Sequence, residues 1–461
     1  MAGLPAAKIE IVRGLVEQSP DRIVSNLQSA LAAVEDDTAL AGVRRVVEAE
    51  VADRRLRNMA LEPVAPLFAA GAAGGGTITF PPQALALLWR GLKAEAPDEV
   101  LEAAAALVDY RPDESSTEPF DALVARLIDG LEAGVQRDYL KAIDLMETDR
   151  PGSVRELLAC LEIAPVVRRA TLRLPEWIAR TTGEGAAAAK VAYKDALASG
   201  EDAGPRFFEM LAAQLAERWM ILRVVSAVMS RPAESYLAAS ELAVFALRLM
   251  DAIDANLKEV ANFDALGGTA AGERAAALVE TLTLQVAEVE NNIELAHETG
   301  WGARLLKQKQ TLAAVVEARL RELEKALGQA LPNHRVRVAR AMKMEPRLTL
   351  APDAKAVERC RALLAFSEGV RTSAAYGGFT STRAKVMENV AEAFDDYVDE
   401  VLSLVRDNEA PDREIAARFL QLAAEFATLI HEPRAGDLVR RRAAAAFGAT
   451  RRPTSPEIEE T

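Results

Sequence analysis

Between Gly272 and Pro332 the chain carries two long amphipathic segments joined by Gly300-Trp301-Gly302, and no other stretch constrains the fold as strongly. From Ala275 the apolar residues Val279, Leu282, Val286, Val289, Ile293 and Ala296 recur by fours and threes, which places one seam on one helix face. Beyond the glycines, Leu305, Leu312, Val316, Leu320, Leu323 and Leu327 keep helical spacing. The spacing predicts a helical hairpin or one long interrupted helix, with Glu280, Gln285, Glu288, Lys309 and Glu317 off the seam. Such a seam needs a cover, either from the chain's own helices or from a second copy.

Two upstream segments of similar length, Arg206 to Met229 and Ala233 to Asn262, supply apolar surface for that cover. Four comparable helices with short connections predict an up-down-up-down bundle over 204–331, unless Pro232 merely kinks one longer helix. Upstream, Pro20, Pro63, Pro66, Pro81, Pro82, Pro97, Pro112, Pro119, Pro151, Pro165 and Pro175 each stop or start a segment. Residues 1–182 therefore read as a short-helix domain, solenoid-like but without a fixed repeat period. Ser19-Pro20-Asp21, Asp37-Thr38 and Pro97-Asp98 have the composition of helix N-terminal caps. Gly71 to Gly76 followed by Thr77-Ile78-Thr79-Phe80 predicts a loop with one short extended piece.

After Pro332 a basic segment, Asn333 to Leu350, reads as a linker closed by Pro346 and Pro352. Helices over Asp353 to Ser373, Ser381 to Arg406, Pro411 to Ile430 and Ala435 to Phe447 then form a C-terminal helical domain spanning 352–448. The last residues, 449–461, have the composition of a disordered tail. The expected fold is all-α and multi-helical: a short-helix N-terminal array, a central long-helix bundle and a C-terminal helical domain.

Composition agrees with that class. Half of the 461 residues are hydrophobic while only 5% are aromatic, so alanine and leucine, both strong helix formers, carry the apolar content. The formal charge of -14 argues against general affinity for nucleic acid, whose phosphates need clustered cations. Cys160 and Cys360 lie far apart, which offers neither a disulfide framework nor a CxxC site and suits a reducing cytoplasm. There is no N-terminal apolar run before a small-residue cleavage site, and no uninterrupted apolar stretch of about 18 residues. A soluble, non-secreted protein without a transmembrane segment is expected. The excess of arginine over lysine fits a GC-rich bacterial genome.

Several patterns bear on chemistry. Asp395-Asp396-Tyr397-Val398-Asp399 matches the DDxxD pattern with which all-α isoprenoid synthases hold magnesium against a diphosphate, and helical spacing brings Asp395, Asp396 and Asp399 together. No second aspartate-rich segment accompanies it, and Val401-Leu402-Ser403 stands where the arginine pair belongs. Glu294-x-x-His297 has the spacing of a di-iron ligand pair but lacks a second copy. Tyr376 to Arg383 is a glycine loop entering a helix, where Thr380, Ser381, Thr382 and Arg383 are candidates to hold an anion. Gly183-Glu184-Gly185 before a lysine is a weaker glycine turn of the same kind.

Arg335, Arg337, Arg340, Lys343 and Arg347 form one basic cluster, and Arg440-Arg441-Arg442 with Arg451 and Arg452 form another. No aromatics interleave with them, so single-stranded nucleic acid lacks a stacking platform. Trp301, held between glycines, is a candidate partner contact. Without GxSxG, HExxH or a strand-borne GxGxxG, the sequence favours a binder over a catalyst and implies no cofactor. The expectation is a non-catalytic cytoplasmic scaffold or regulatory adaptor that binds protein partners or itself, with Trp301 and the 335–347 cluster as contacts. The alternatives are a magnesium-dependent enzyme using the three aspartates, and a peripheral membrane or anion binder using the arginine clusters.

Overall fold

The structure is a computed structural model that describes residues 5–34, 40–69, 77–112, 115–134, 153–179, 183–200, 202–229, 231–296, 298–338 and 341–449. The chain is all-α and multi-helical, broken among the described residues by one β-hairpin and isolated bridges. None of the described helices is long and apolar enough to cross a membrane. Two compact units, Met1–Phe245 and Ala246–Thr461, make up the chain.

The first unit contains α1 (Ala6–Gln18), α2 (Asp21–Ala32), α3 (Ala41–Ala60), α4 (Pro82–Glu95), α5 (Pro97–Val108) and α6 (Glu118–Glu132). It continues through α7 (Val154–Glu162), α8 (Ala164–Ala179), α9 (Glu184–Leu197), α10 (Ala203–Ala213), α11 (Leu222–Val228) and α12 (Glu234–Ala238). Val16, Val24, Leu31 and Val47 form a small core where α1, α2 and α3 meet, flanked by Val12, Leu27, Val43 and Val51. The expected extended piece is Phe80, which bridges Phe68 in parallel with ring centroids 5.2 Å apart.

In both units an arginine of one helix repeatedly serves the C-terminus of another. The last carbonyls of a helix lack intrahelical donors and carry its negative end, and a forked guanidinium answers both deficits. Arg54 donates to Val16 O in the last turn of α1 at 2.9 Å, and Arg44 to Leu31 O in α2 at 3.1 Å. Arg168 donates to Met59 O and Ala60 O at the end of α3, and Arg223 to Ile178 O in α8 at 2.7 Å. This use of arginine lets short helices stop inside a packed unit without leaving bare carbonyls.

The proline and cap expectations need correction in places. Pro175 lies inside α8, which runs on to Ala179, because Leu174 and Trp177 bury almost completely and outweigh one missing backbone hydrogen bond. Ser19 does not cap α2; its hydroxyl donates backwards to Leu15 O in α1 at 2.7 Å. Asp21 is drawn instead to Arg54 and Arg57. α5 likewise has no side-chain cap, and Asp37-Thr38 lies outside the described residues. Side-chain caps are provided by Ser153, Asp353 and Asp412, the last accepting from the N–H groups of Glu414 and Ile415.

The long segment expected over Arg206 to Met229 is broken into α10, a 3-10 turn over Arg218–Ile221, and α11. Gln214 at the break donates to Glu62 O at 3.0 Å, a tertiary bond that local periodicity does not encode. The segment Ala233 to Asn262 is broken at Ser240, whose hydroxyl donates to Leu237 O and accepts from Leu242 N–H in place of helical bonds.

Glu62 lies largely buried near this break, and its Oε2 has no hydrogen-bond partner among the described residues. Burial raises its pKa above the ordinary carboxylate value, with Arg168 partly offsetting the rise. The folded protein therefore holds the Glu62 proton more tightly than the unfolded chain does, and stability falls as pH rises through the window above 4.5. Glu62→Gln is expected to raise the melting temperature by a few degrees at pH 7 and to give no gain below pH 4.5. Thermal melts across pH check this, and an unchanged or lower midpoint at pH 7 contradicts it.

The unit boundary at Phe245 falls within α13 (Ala243–Ala261), inside the stretch expected as one bundle. The second unit then contains α14 (Gly268–Asn292), α15 (Gly300–Ala330), β1 (Asn333–Val338), β2 (Ala341–Pro346), α16 (Ala354–Gly369), α17 (Ala374–Gly377), α18 (Thr380–Arg406), α19 (Arg413–Ile430) and α20 (Ala435–Ala449). α14 packs mainly on α16, and α15 packs on α16 and α18, while α14 and α15 touch each other little. The expected direct hairpin is thus opened, with α16 shared by both of its helices.

The seam residues Val279, Leu282, Val286 and Val289 are at most 1% exposed. Burial of such side chains stabilises by roughly 1.5–3 kcal/mol each. Gln285 and Glu288, expected off the seam, are only 4% and 3% exposed. Asn256 of α13 donates to Gln285 Oε1 at 3.2 Å, so a polar contact lies on the side of α14 that periodicity assigned to solvent. The arginine device recurs here, with Arg319 on Ala261 O at the end of α13 and Arg383 on Ser367 O near the end of α16.

Candidate functional site

The segment from Asn333 to Pro346 is a β-hairpin, not a linker. His334-Arg335-Val336-Arg337-Val338 and Met342-Lys343-Met344-Glu345 alternate in the two-residue period of strands, and that signal was masked by the charge and the flanking prolines. The strands are antiparallel, with Arg335 opposite Met344, Val336 opposite Lys343 and Arg337 opposite Met342. At the base the Arg347 N–H donates to Pro332 O at 2.8 Å, and Leu348 is fully buried just beyond.

A lone two-stranded ribbon is marginal in water, so its anchorage matters. Directly opposed residues share a face. One face carries Val336 and Lys343, and the Lys343 ammonium lies 2.5 Å from Glu400 of α18. The Glu400 hydrogen bond raises the pKa of this exposed lysine. The opposite face carries Arg335, Arg337, Met342 and Met344. All four are exposed, the methionines at 63% and 53%, and the two arginines have no ion-pair partner among the described residues. Arg347 is also exposed, and Arg340 lies outside the described residues. The result is a cationic and apolar surface held on a fixed base.

The other candidate residues are placed differently. Asp395 Oδ1 lies 2.9 Å from His431 Nε2, and Asp399 pairs with Arg442 of α20. Asp396 is exposed. Two of the three DDxxD carboxylates thus tie α18 to the end of α19 and to α20. Among the described residues no group of three His, Cys, Asp or Glu side chains is placed to hold a metal ion. Adding magnesium with a diphosphate analogue is expected to leave the melting temperature unchanged; a rise of several degrees would favour the enzyme reading over the adaptor one. Glu294 lies past the end of α14 at Asn292, and His297 is outside the described residues.

Thr380, Ser381, Thr382 and Arg383 form the first turn of α18. Thr382 donates to Glu317 at 2.8 Å, while Arg383 donates to Ser367 O at 2.8 Å and pairs with Glu368. The hydroxyl of Thr382 and the guanidinium therefore join α18 to α15 and α16, leaving Thr380 and Ser381 exposed. Trp301 belongs to the first turn of α15, not to a connection, and is half-buried. In the second arginine cluster Arg440 pairs with Asp437 and Arg442 with Asp399, and Arg451 and Arg452 lie outside the described residues.

A cavity of about 520 Å³ lies along α13 and α15, floored by Leu257 and Gln308 and rimmed by Lys258 and Lys307. Within it Arg304 pairs with Asp251 and Asp254, and Gln308 Nε2 donates to both Met250 O and Asp254 at 2.8 Å. Burial pushes the Asp254 carboxyl up, but Arg304 and Gln308 together hold it below its usual value. Arg304 and the two aspartates thus answer one another, while the buried Gln308 Oε1, which has no hydrogen-bond partner among the described residues, and the exposed Lys258 and Lys307 are left without such a partner in the cavity. Comparison of the chain with protein-family models, with curated proteins and with solved structures finds no match.

Proposed function

We propose that this chain is a non-catalytic helical scaffold or regulatory adaptor that engages a protein partner with the outer face of the 333–346 hairpin. The observation that carries the reading is the exposure of Met342 and Met344 beside Arg335 and Arg337, on an element whose other face is anchored through Lys343. Methionine and arginine are enriched at the centres of protein interfaces, and arginine is frequent among the residues that dominate their energy. Trp301 is retained as a second contact point, on the first turn of the neighbouring long helix.

A reducing, cytoplasmic setting belongs to the same reading. Cys160 and Cys360 are free and buried, and burial pushes each thiol up to about 12, so both behave as inert core residues.

The test is affinity purification of the tagged full chain from its source cells, compared with a Met342→Ser/Met344→Ser variant. A stoichiometric partner that is lost in the variant, at unchanged melting temperature, is the expected result. No stoichiometric partner, together with turnover of a metabolite by the purified chain, would sink the adaptor reading.

A further inference from the structure

The hydrogen-bond alternation of the hairpin decides which backbone groups of β1 are free. Arg347 N–H donates to Pro332 O, so that pair occupies a hydrogen-bonded position of the antiparallel ladder. Positions then alternate along the register. Asn333 opposite Pro346, Arg335 opposite Met344 and Arg337 opposite Met342 fall at non-hydrogen-bonded positions. Pro346, which has no N–H to give, suits such a position. The N–H and C=O groups of Asn333, Arg335 and Arg337 therefore point away from β2, at the edge of a sheet that has only these two strands among the described residues. They make no other backbone hydrogen bond to a described residue. β2, in contrast, lies against α18.

We infer that the β1 edge takes an extended, acidic segment of a protein partner as a third strand, with its carboxylates against Arg335 and Arg337. The inference rests on the adaptor reading and names the partner's chemistry. Strand addition draws affinity from main-chain hydrogen bonds and selectivity from alternate side chains, and both are on offer at this edge. Charge decides the occupant. The described residues of the hairpin and its base carry Arg335, Arg337, Lys343 and Arg347 against Glu345, in a chain of net charge -14. A second copy pairing edge to edge would set these arginines beside their own counterparts, and like charges on neighbouring strands repel. Charged side chains do protect edge strands from self-association, which accounts for the arginines alone. It does not account for Met342 and Met344, which with the aliphatic stems of the arginines form an apolar strip for the partner's body to cover.

The probe is a capped, fluorescein-labelled octapeptide alternating glutamate and valine, titrated into the full-length chain at low salt with fluorescence anisotropy as readout. A second peptide of the same sequence is N-methylated at alternate residues, which keeps its charge and removes its strand-pairing donors. Saturable binding of the first peptide is expected, weakened about ten-fold or more by N-methylation, the effect of losing one or two backbone hydrogen bonds. Arg335→Glu/Arg337→Glu should abolish it.

Arg337→Pro removes an N–H that faces outward, and proline is tolerated on edge strands, so this variant should fold with an unchanged melting temperature and still bind about ten-fold more weakly. Arg337→Gln, which keeps the N–H, should lose less than Arg337→Pro. Equal binding of the N-methylated peptide overturns the proposal in favour of charge alone, and absence of binding overturns it outright. Co-sedimentation with phosphatidylserine vesicles that is lost in the charge-reversed variant, without peptide binding, replaces it by a lipid surface. If the peptide fails while Met342→Ser/Met344→Ser still abolishes partner recovery, strand addition falls and the adaptor reading stands; if both fail, both fall.

Discussion

Replacing Arg168 by leucine is expected to destabilise the Met1–Phe245 unit by about 3–5 kcal/mol, the usual cost of breaking a buried charge pair from one side. Arg168 is 2% exposed. Its Nε donates to Asp121 Oδ1 at 2.9 Å, its two terminal nitrogens donate to Met59 O and Ala60 O, and its guanidinium lies 5.9 Å from the centre of the Phe120 ring. Leucine fills part of the space but supplies none of these donors. Among the described residues, the last two carbonyls of α3 would be left without a donor, and Asp121 would keep only the Thr117 hydroxyl at 3.0 Å as a side-chain donor. Glu62 would also lose the nearby positive charge that offsets its burial, which adds to the cost at neutral pH.

Arg168→Lys should recover less than half of the loss, because an ammonium is a compact point charge and cannot serve three acceptors in a fixed fork. Urea denaturation of each variant measures the effect. A loss below about 1 kcal/mol for the leucine variant, the level of an exposed ion pair, would show that Arg168 is not a hub of this unit.

The second large effect is expected at Gly272, where α14 crosses α16. A Cβ placed on Gly272 would overlap the carbonyl oxygen and carbon of Ala362 and lie 3.0 Å from the backbone nitrogen of Phe366. These neighbours are backbone atoms of a buried helix, and they cannot turn aside as a side-chain tip can. Nearby, a Cβ placed on Gly369 of α16 would lie 2.5 Å from the Cβ of Ala276 of α14. Gly272→Val should therefore force the two helices apart and cost about 3 kcal/mol, at the upper end of overpacking substitutions.

Gly328 provides the control. It lies in α15, is exposed, and has open space where a Cβ would sit, with no neighbour within 4 Å, so Gly328→Ala should stabilise by about 0.5–1 kcal/mol through helix propensity alone. Thermal melts of the two variants should move in opposite directions. A Gly272→Val variant as stable as the wild type would mean that the α14–α16 crossing is looser than its geometry.

The candidate surface was partly legible in the sequence. Arg335, Arg337, Lys343 and Arg347 stand out as cations in an acidic chain, and that is a matter of composition. Met342 and Met344 do not stand out, because an isolated methionine is ordinary until its neighbours are known to leave it 63% or 53% exposed. The period-two alternation was present but short, and two prolines beside a basic run resemble a linker as much as a strand boundary. Thr382 and Arg383 were legible as a helix start; that they reach Glu317 and Ser367 depends on where α15 and α16 lie. Asp395 and Asp399 followed the same course, since helical spacing brings them together while His431 and Arg442 determine what they do.

What the sequence determined by itself is the helical class and the positions of the long helices after residue 268, including α14, α15, α18 and α19, because backbone propensity and the 3.6-residue repeat act within a few residues. It also determined that the face through Val279, Leu282, Val286 and Val289 would be buried. Only the tertiary structure decided what covers that face. The upstream segments carried enough apolar area to be plausible covers, but area is not directional and does not choose among helices. The close crossing through Gly272 and Gly369 selects α16, and this shape match between distant backbones is invisible to any count of apolar residues. The same holds for the arginines, whose role depends on which helix happens to end within reach of the guanidinium.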